Sequence, residues 1–356
     1  MWFYILLTVI AVWVFIVLYL QHNYRSSRKA EQIIFAKTSD GAPIALHRYL
    51  PKTKDKRNYP VILCHGMGAN RFNFDFDDRY SVAAYLSQLG FDCFVLELRG
   101  SGWSQVPDEC PGGRWNTCFE DHVRKDIPAA VEKVLAVTGA KKLHWVGHSM
   151  GGIVLYCYAI EQQGKNLKSA VTIGSPVNFT YMSHMKGIAR LGRKILPFFK
   201  QFHARFFMNL SLPFVGRNDK LFGKKIYLAE NCDLDVIRYA AVNLVTDSSS
   251  QLMLQFADWV LDSDVKSADG IDWQNQLGSV KQPIFAIAGS LDYFAKPDGI
   301  KWIYEHLGSK DKKLRIFGKA YGDAADYGHG DLVVGRTAPT EVFPAISEWL
   351  ISHDKN

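Results

Sequence analysis

The five residues Gly147-His148-Ser149-Met150-Gly151 restrict the fold more than any other stretch of this chain. An apolar run of strand character, residues 143–146, leads into them, and from Met150 onward the chain reads as a helix. G-x-S-x-G between a strand and a helix describes a turn so tight that the serine backbone is strained. The residues two before and two after must then lack bulk, and the hydroxyl is pushed clear of the sheet. By average composition these three fixed residues arise by chance in about one chain in ten of this length. The flanking strand and helix make that coincidence far rarer. Ser149 therefore reads as a nucleophile rather than as a helix-capping serine.

The rest of the chain supplies the sheet this turn needs. Strands are expected at residues 32–36 and 44–49, joined across Asp40-Gly41 as a hairpin, and then at 61–64, 91–98 and 143–146, with another near 169–173. Helical stretches near 82–89 and 121–137 fall between them. The alternation stops after Ser175-Pro176 and resumes near Pro283 with strands at 284–288 and 314–317, and helices near 300–307 and 342–351. Strands alternating with helices predict an α/β fold with a mostly parallel sheet and helices on both faces. The hundred or so residues of the gap are too many for a loop, so a helical cap is expected between the sixth and seventh strands.

Residues 2–20 are apolar apart from Thr8 and carry aromatic residues at both ends, which fits a bilayer-spanning helix. A cleaved signal peptide calls for a basic beginning and a small-residue cleavage site, and neither is present. Arg25, Arg28 and Lys29 are the first positive side chains after the span. The positive-inside rule then puts the bulk of the chain in the cytoplasm. The divisions expected are a transmembrane anchor at 1–22, a basic juxtamembrane linker at 23–30, a core at 31–176 and 279–356, and a cap at 177–278. The net charge of +7 suits an anionic membrane surface. Without zinc-ligand spacing, a P-loop or a Rossmann glycine pattern, it is no argument for nucleic acid. Cys64, Cys93 and Cys157 fall in apolar patterns and read as buried thiols, while Cys110 and Cys118 share a loop-like stretch where a disulfide is open.

A serine at neutral pH needs a base to take its proton and a carboxylate to orient that base. In an open parallel sheet the site lies outside the carboxyl ends of the strands. Asp292 follows the strand after the cap, and His329 follows the last strand. His306 lies within a helix and His353 in the tail, so elimination also leaves His329 as the base. Asp326 and Asp331 read as loop or supporting residues. The oxyanion of an acyl transfer needs fixed N–H donors. Met150, directly after the nucleophile, supplies one, and Met67, between two glycines in His65-Gly66-Met67-Gly68, is expected to supply the other. His65 and Arg99 read as structural.

The cap holds Ile188, Leu191, Ile195, Phe198, Phe202 and Phe206 at three- and four-residue spacing. Lys186, Arg190, Arg193, Lys194, Lys200 and Arg205 lie between them. An interfacial lid and ordinary cap helices packed on the core both fit this pattern.

With these motifs in place, 147–152, 65–68, Leu98-Arg99-Gly100-Ser101-Gly102 and Gly328-His329-Gly330-Asp331-Leu332, the chain resembles the α/β-hydrolase fold superfamily over about residues 31–350. It is most similar to its acid-lipase-like and monoacylglycerol-lipase-like branch. The resemblance implies the order serine, acid, histidine, met by Ser149, Asp292 and His329. It also implies hydrolysis of a hydrophobic carboxylic ester through an acyl-enzyme, with no cofactor and no metal. Membrane lipid is an expected partner and nucleic acid is not. An acyltransferase, peptidase, thioesterase or lactonase uses the same parts, and a catalytically inactive membrane-bound interaction module is a further alternative.

Overall fold

The computed structural model describes residues 1–106, 110, 113, 115–216 and 223–355. The main sheet contains β1 (Gln32–Lys37), β2 (Pro43–Tyr49), β3 (Val61–Cys64), β4 (Cys93–Leu96), β5 (Leu143–His148), β6 (Leu167–Ile173), β7 (Ile284–Gly289) and β8 (Lys312–Phe317). Its spatial order is β1-β2-β4-β3-β5-β6-β7-β8. The β1–β2 hairpin is antiparallel, as Asp40-Gly41 predicts, and β2 runs antiparallel to β4. From β4 to β8 every pairing is parallel. All residues of β3, β4, β5 and β7 are buried, so these strands are covered on both faces.

The helices used below are α1 (Trp2–Tyr24), α2 (Val82–Gln88), α3 (Ile127–Thr138), α4 (Met150–Glu161) and α5 (Lys186–Ile195). They continue with α6 (Ala204–Ser211), α7 (Leu234–Asn243), α8 (Ser250–Asp262), α9 (Pro297–His306) and α10 (Ala338–Ser352). One face of the sheet packs Leu63, Val95 and Val146 under α2 and α10, through Leu86, Phe343 and Ile346. The other packs Ile62, Phe94 and Trp145 under α3, α4 and α9, through Val131, Val154 and Ile303. Each fully buried aliphatic or aromatic side chain here contributes about 1.5–3 kcal/mol of apolar burial.

Two local features depart from the sequence pattern. The stretch expected as one helix over 121–137 begins with a π turn, His122–Asp126, before α3. Pro128 has no N–H to donate to the carbonyl four residues back, so the regular ladder is not completed there. Cys110 and Cys118 are free thiols, with Cys118 Sγ turned to Asp121 at 3.3 Å.

The segment between β6 and β7 lies over the carboxyl ends of the strands and contains α5 to α8. A two-residue pairing of Gln201–Phe202 with Ser248–Ser249 braces it. The strip leading into that pairing is tied to the loop after β3. Thr246 N–H donates to Gly68 O (2.8 Å), Thr246 Oγ1 to Ala69 O (3.1 Å), and Asn70 Nδ2 to Asn243 O (2.7 Å). Helix α1 is long and apolar enough to cross a membrane. Its residues before Trp13 are exposed, whereas Trp13, Val17, Leu20 and Tyr24 form a half-buried stripe.

Arg99, past the end of β4, joins three segments. Its Nε donates to Asp126 Oδ1 (2.7 Å) and its Nη1 and Nη2 to the two oxygens of Asp40 (2.9 and 3.2 Å). Burial opposes the guanidinium charge, but the surrounding carboxylates outweigh it and raise its pKa. Asp126 is fully buried. Replacing Arg99 by leucine therefore strands a buried carboxylate, and urea unfolding is expected to show a loss of about 3–5 kcal/mol. Adding Asp126→Leu should recover part of that loss.

Candidate functional site

Ser149 stands at the end of β5 with φ 54° and ψ −121°, in the left-handed region that a serine enters only under strain. Such strain costs on the order of 1–3 kcal/mol and needs over-determining surroundings. They are present. Ser149 N–H donates to Ile173 O at the end of β6 (2.8 Å). A Cβ on Gly151 would fall 2.2 Å from Cys64 O, and one on Gly147 2.5 Å from Gly151 O. The bulk the motif forbids is thus forbidden by named backbone atoms.

Asp292 and His329 meet. The His329 Nδ1–H donates to Asp292 Oδ2 at 2.8 Å. The other carboxylate oxygen accepts the amides of Phe294 and Ala295, each at 2.8 Å. With Asp292 buried and held from both sides, the imidazole is fixed in orientation, and its neutral form carries the free lone pair on Nε2. The loops bearing the two residues are sewn together by Leu291 N–H to Tyr327 O (2.9 Å) and Ser290 Oγ to Asp326 (2.9 Å).

Gly174 relates this pair to the serine. It directly follows Ile173, the acceptor of the Ser149 amide, and a Cβ there would lie 3.1 Å from both Asp292 Oδ2 and His329 Nδ1. The three candidate residues, far apart in sequence, therefore occupy one rim of the sheet. Ser149 Oγ has no hydrogen-bond partner among the described residues.

Gly66 comes so near that a Cβ on it would lie 2.9 Å from Ser149 Cβ. His65 braces that turn. Its Nδ1–H donates to Gly66 O (2.7 Å), and its Nε2 accepts Leu98 N–H (3.1 Å). Burial pushes His65 down to about 4, so the ring is neutral and suited to bracing. The Met67 amide has no acceptor among the described residues, and the Met150 amide, in the first turn of α4, has no intrahelical one. A small pocket opens beside them, lined by Gly66, Met150, His122, Ser248 and Leu252 among others. His122 is held through Nδ1 to Asp126 (2.8 Å), and its buried Nε2 has no partner among the described residues.

Among the supporting residues, His148, Asn73 and Asn231 had no usable signal in the sequence. His148 Nε2–H donates to the His329 carbonyl (3.1 Å), with Asn73 3.0 Å from its Nδ1. Asp331, read from sequence as a supporting residue, accepts Gly328 N–H at 3.0 Å and Asn231 Nδ2 at 3.2 Å, which ties the histidine loop to the cap. Burial raises its carboxyl to about 6. For Asn73 and Asn231 nothing but the folded contacts marks the position, while His148 is conspicuous only as the neighbour of Ser149.

The fold has known counterparts. A family model described as alpha/beta hydrolase fold matches residues 59–333. Lipase 3 of Drosophila melanogaster is 31% identical over 158 residues, covering 42% of this chain and 39% of that protein. A triacylglycerol lipase of Pseudarthrobacter phenanthrenivorans is 36% identical over 120 residues, 33% of either chain. The chain thus spans about two fifths or less of these relatives' length. Among solved structures, the monoacylglycerol lipase of Paleococcus ferrophilus superposes with a TM-score of 0.55 at 21% identity, over 86% of this chain and 99% of that one.

Burial, and then the nearby His329, push His148 down to about 3. An unfolded chain protonates this ring near 6.5, so stability from the neutral native ring is full above that pH and falls as the pH drops toward 3. At pH 5 the loss from His148 alone is about 2 kcal/mol. Urea unfolding of His148→Gln at pH 7 and pH 5 should show the acid loss reduced by about that amount. His65 contributes in the same sense and remains.

Proposed function

The chain belongs to the α/β-hydrolase fold family, and from that premise we propose that it is a membrane-anchored serine hydrolase cleaving a hydrophobic carboxylic ester. The observation that carries the proposal is the buried Asp292–His329 pair at the rim that also holds the strained Ser149. In this reading the Ser149 hydroxyl attacks the acyl carbon while His329 Nε2 takes its proton, and Asp292 stabilises the resulting imidazolium. The tetrahedral oxyanion is held by the Met67 and Met150 amides. Collapse expels the alcohol, which receives the proton from His329. Water, deprotonated in turn by His329, then attacks the acyl-enzyme and releases the acid and free Ser149. No step calls for a metal or cofactor. The relatives' names, lipases of triacylglycerol and monoacylglycerol, support a hydrophobic carboxylic ester.

The anchor is α1. Its contacts with the folded body favour a retained helix over a cleaved signal. Tyr24 Oη donates to Asp235 (2.7 Å), Asn243 Nδ2 donates to Tyr24 O (2.7 Å), and Ser26 N–H donates to Asn243 Oδ1 (2.9 Å). The residues past it are pinned too, since Arg28 is paired with Asp75 and Asp78. Arg25 and Lys29 support a cytoplasmic catalytic body.

Ser149→Ala is expected to lower kcat on p-nitrophenyl esters at least 10³-fold and to abolish labelling by a fluorophosphonate, with unfolding nearly unchanged because alanine keeps the Cβ that strains this backbone. Asp292→Asn should cost about 10³- to 10⁴-fold, because the imidazole loses its fixed tautomer. A Ser149→Ala variant that still labels would remove the proposal.

A further inference from the structure

We infer that the cap, beyond roofing the active site, sits in the lipid leaflet beside α1, so that its exposed phenylalanines lie among acyl chains. This rests on the anchored-hydrolase reading for the role of α1, but not on the chemistry at Ser149. The first observation concerns depth. If residues 2–20 fill the roughly 30 Å hydrocarbon layer, the whole of that run is in lipid. Yet the half-buried stripe of α1 starts at Trp13, whose ring lies 4.9 Å from that of Phe214 in the cap. From Trp13 to Leu20 the helix rises about 10 Å at 1.5 Å per residue. Cap residues packed along that length share the depth of α1, or else the apolar helix stands in water.

The second observation settles which. Beyond Phe214 the cap carries further large apolar side chains that are uncovered. Phe198 is 83% exposed, Phe206 61%, Phe214 57% and Ile188 65%. On α5, Ile188, Leu191 and Ile195 form one exposed stripe, while Ala189 and the following Leu196 make the buried face. The apolar stripe is therefore not packed on the core. Arg190, Arg193 and Lys194 lie on the opposite side of α5, where a leaflet-seated helix meets anionic headgroups and water. Exposed apolar side chains grouped in this way mark an interaction site, and the Trp13–Phe214 contact, which joins the cap to α1, identifies the bilayer as the occupant.

The third observation links this face to the active site. Phe202, whose ring is 5.9 Å from that of Phe207, pairs with Ser248. Ser248 lines the cavity next to Gly66 and Met150. The Phe202–Phe207 side of the cap and the pocket thus share one short piece of backbone.

The test uses the full chain in phosphatidylcholine vesicles, with and without phosphatidylglycerol. A bimane is placed through Phe206→Cys in a Cys110→Ser/Cys118→Ser background, the other thiols being buried. A control bimane is placed through Glu348→Cys, on exposed α10 surface. The label at 206 should be quenched by lipids brominated on the acyl chain and be several-fold less accessible to aqueous iodide than the label at 348. Equal iodide access at both sites overturns the inference. So does protection at 206 without quenching by brominated lipid, which would mean a protein partner. In addition, Phe198→Ser/Phe206→Ser/Phe207→Ser should slow hydrolysis of a vesicle-borne ester about tenfold and leave a short soluble ester untouched, and equal loss on both overturns it. If the unaltered chain hydrolyses neither ester, the hydrolase proposal fails while the quenching result still stands.

Discussion

The close approach of three backbone segments at the end of β5 is the constraint on which this molecule depends. Ser149 can hold its left-handed conformation only because Gly147, Gly151 and Gly66 let the turn, the start of α4 and the loop after β3 pack without intervening side chains. The Ser149 amide is anchored on β6. The next residue after that anchor, Gly174, abuts the Asp292–His329 pair. One local economy of bulk therefore sets the positions of a hydroxyl, two free amides and an imidazole. Each gets its place from backbone, which is stiffer than any side-chain scaffold.

Around that centre, orientation is enforced by buried, hydrogen-bonded groups. His65 and His148 are both neutral through burial, and each uses a ring nitrogen to fix a carbonyl, that of Gly66 in one case and of His329 in the other. Asp292 is held by two amides as well as by the histidine. Under the proposed mechanism this leaves His329 as the group whose protonation cycles, amid neighbours that stay still.

How much of this could be read from the residues follows from which signals are local. Runs such as 61–64 and 284–288 announce buried strands, and Asp40-Gly41 announces a hairpin, because period and turn chemistry live within a few residues. Asp292 and His329 could be selected because strand ends are themselves legible, and the site must lie beyond them. The π turn at His122–Asp126 was not legible, since its cause is the one donor missing at Pro128, and a proline near the start of a helix is ordinarily accommodated without a break. Nor were the contacts of His148 with Asn73 or of Asp331 with Asn231. Pairs of polar side chains distant in sequence leave no periodicity, and many arrangements of them fit the same pattern. The cap showed the same limit. Its spacing fitted both a packed and an exposed apolar face, and only the folded chain distinguishes Ala189, buried, from Ile188, exposed.

Asn243 shows how anchor, cap and site are held at fixed separations. Its side chain bonds the backbone of Tyr24 and Ser26, where α1 ends, and its carbonyl accepts the Asn70 side chain. Asn70 in turn caps the short turn that carries Asn73, the neighbour of His148. None of these bonds is strong alone, each contributing about 0.5–1.5 kcal/mol net. Their value lies in sharing one rigid path, with buried partners at most steps. A catalytic body attached through a loose tether could turn any face to its membrane. A body whose cap is bonded to the last turn of α1 has its cavity held at a set height and angle to that helix, and so to any bilayer the helix crosses. If the substrate is lipid, this fixed geometry replaces a search in solution by one within a leaflet, which is the advantage an anchored hydrolase has over a free one.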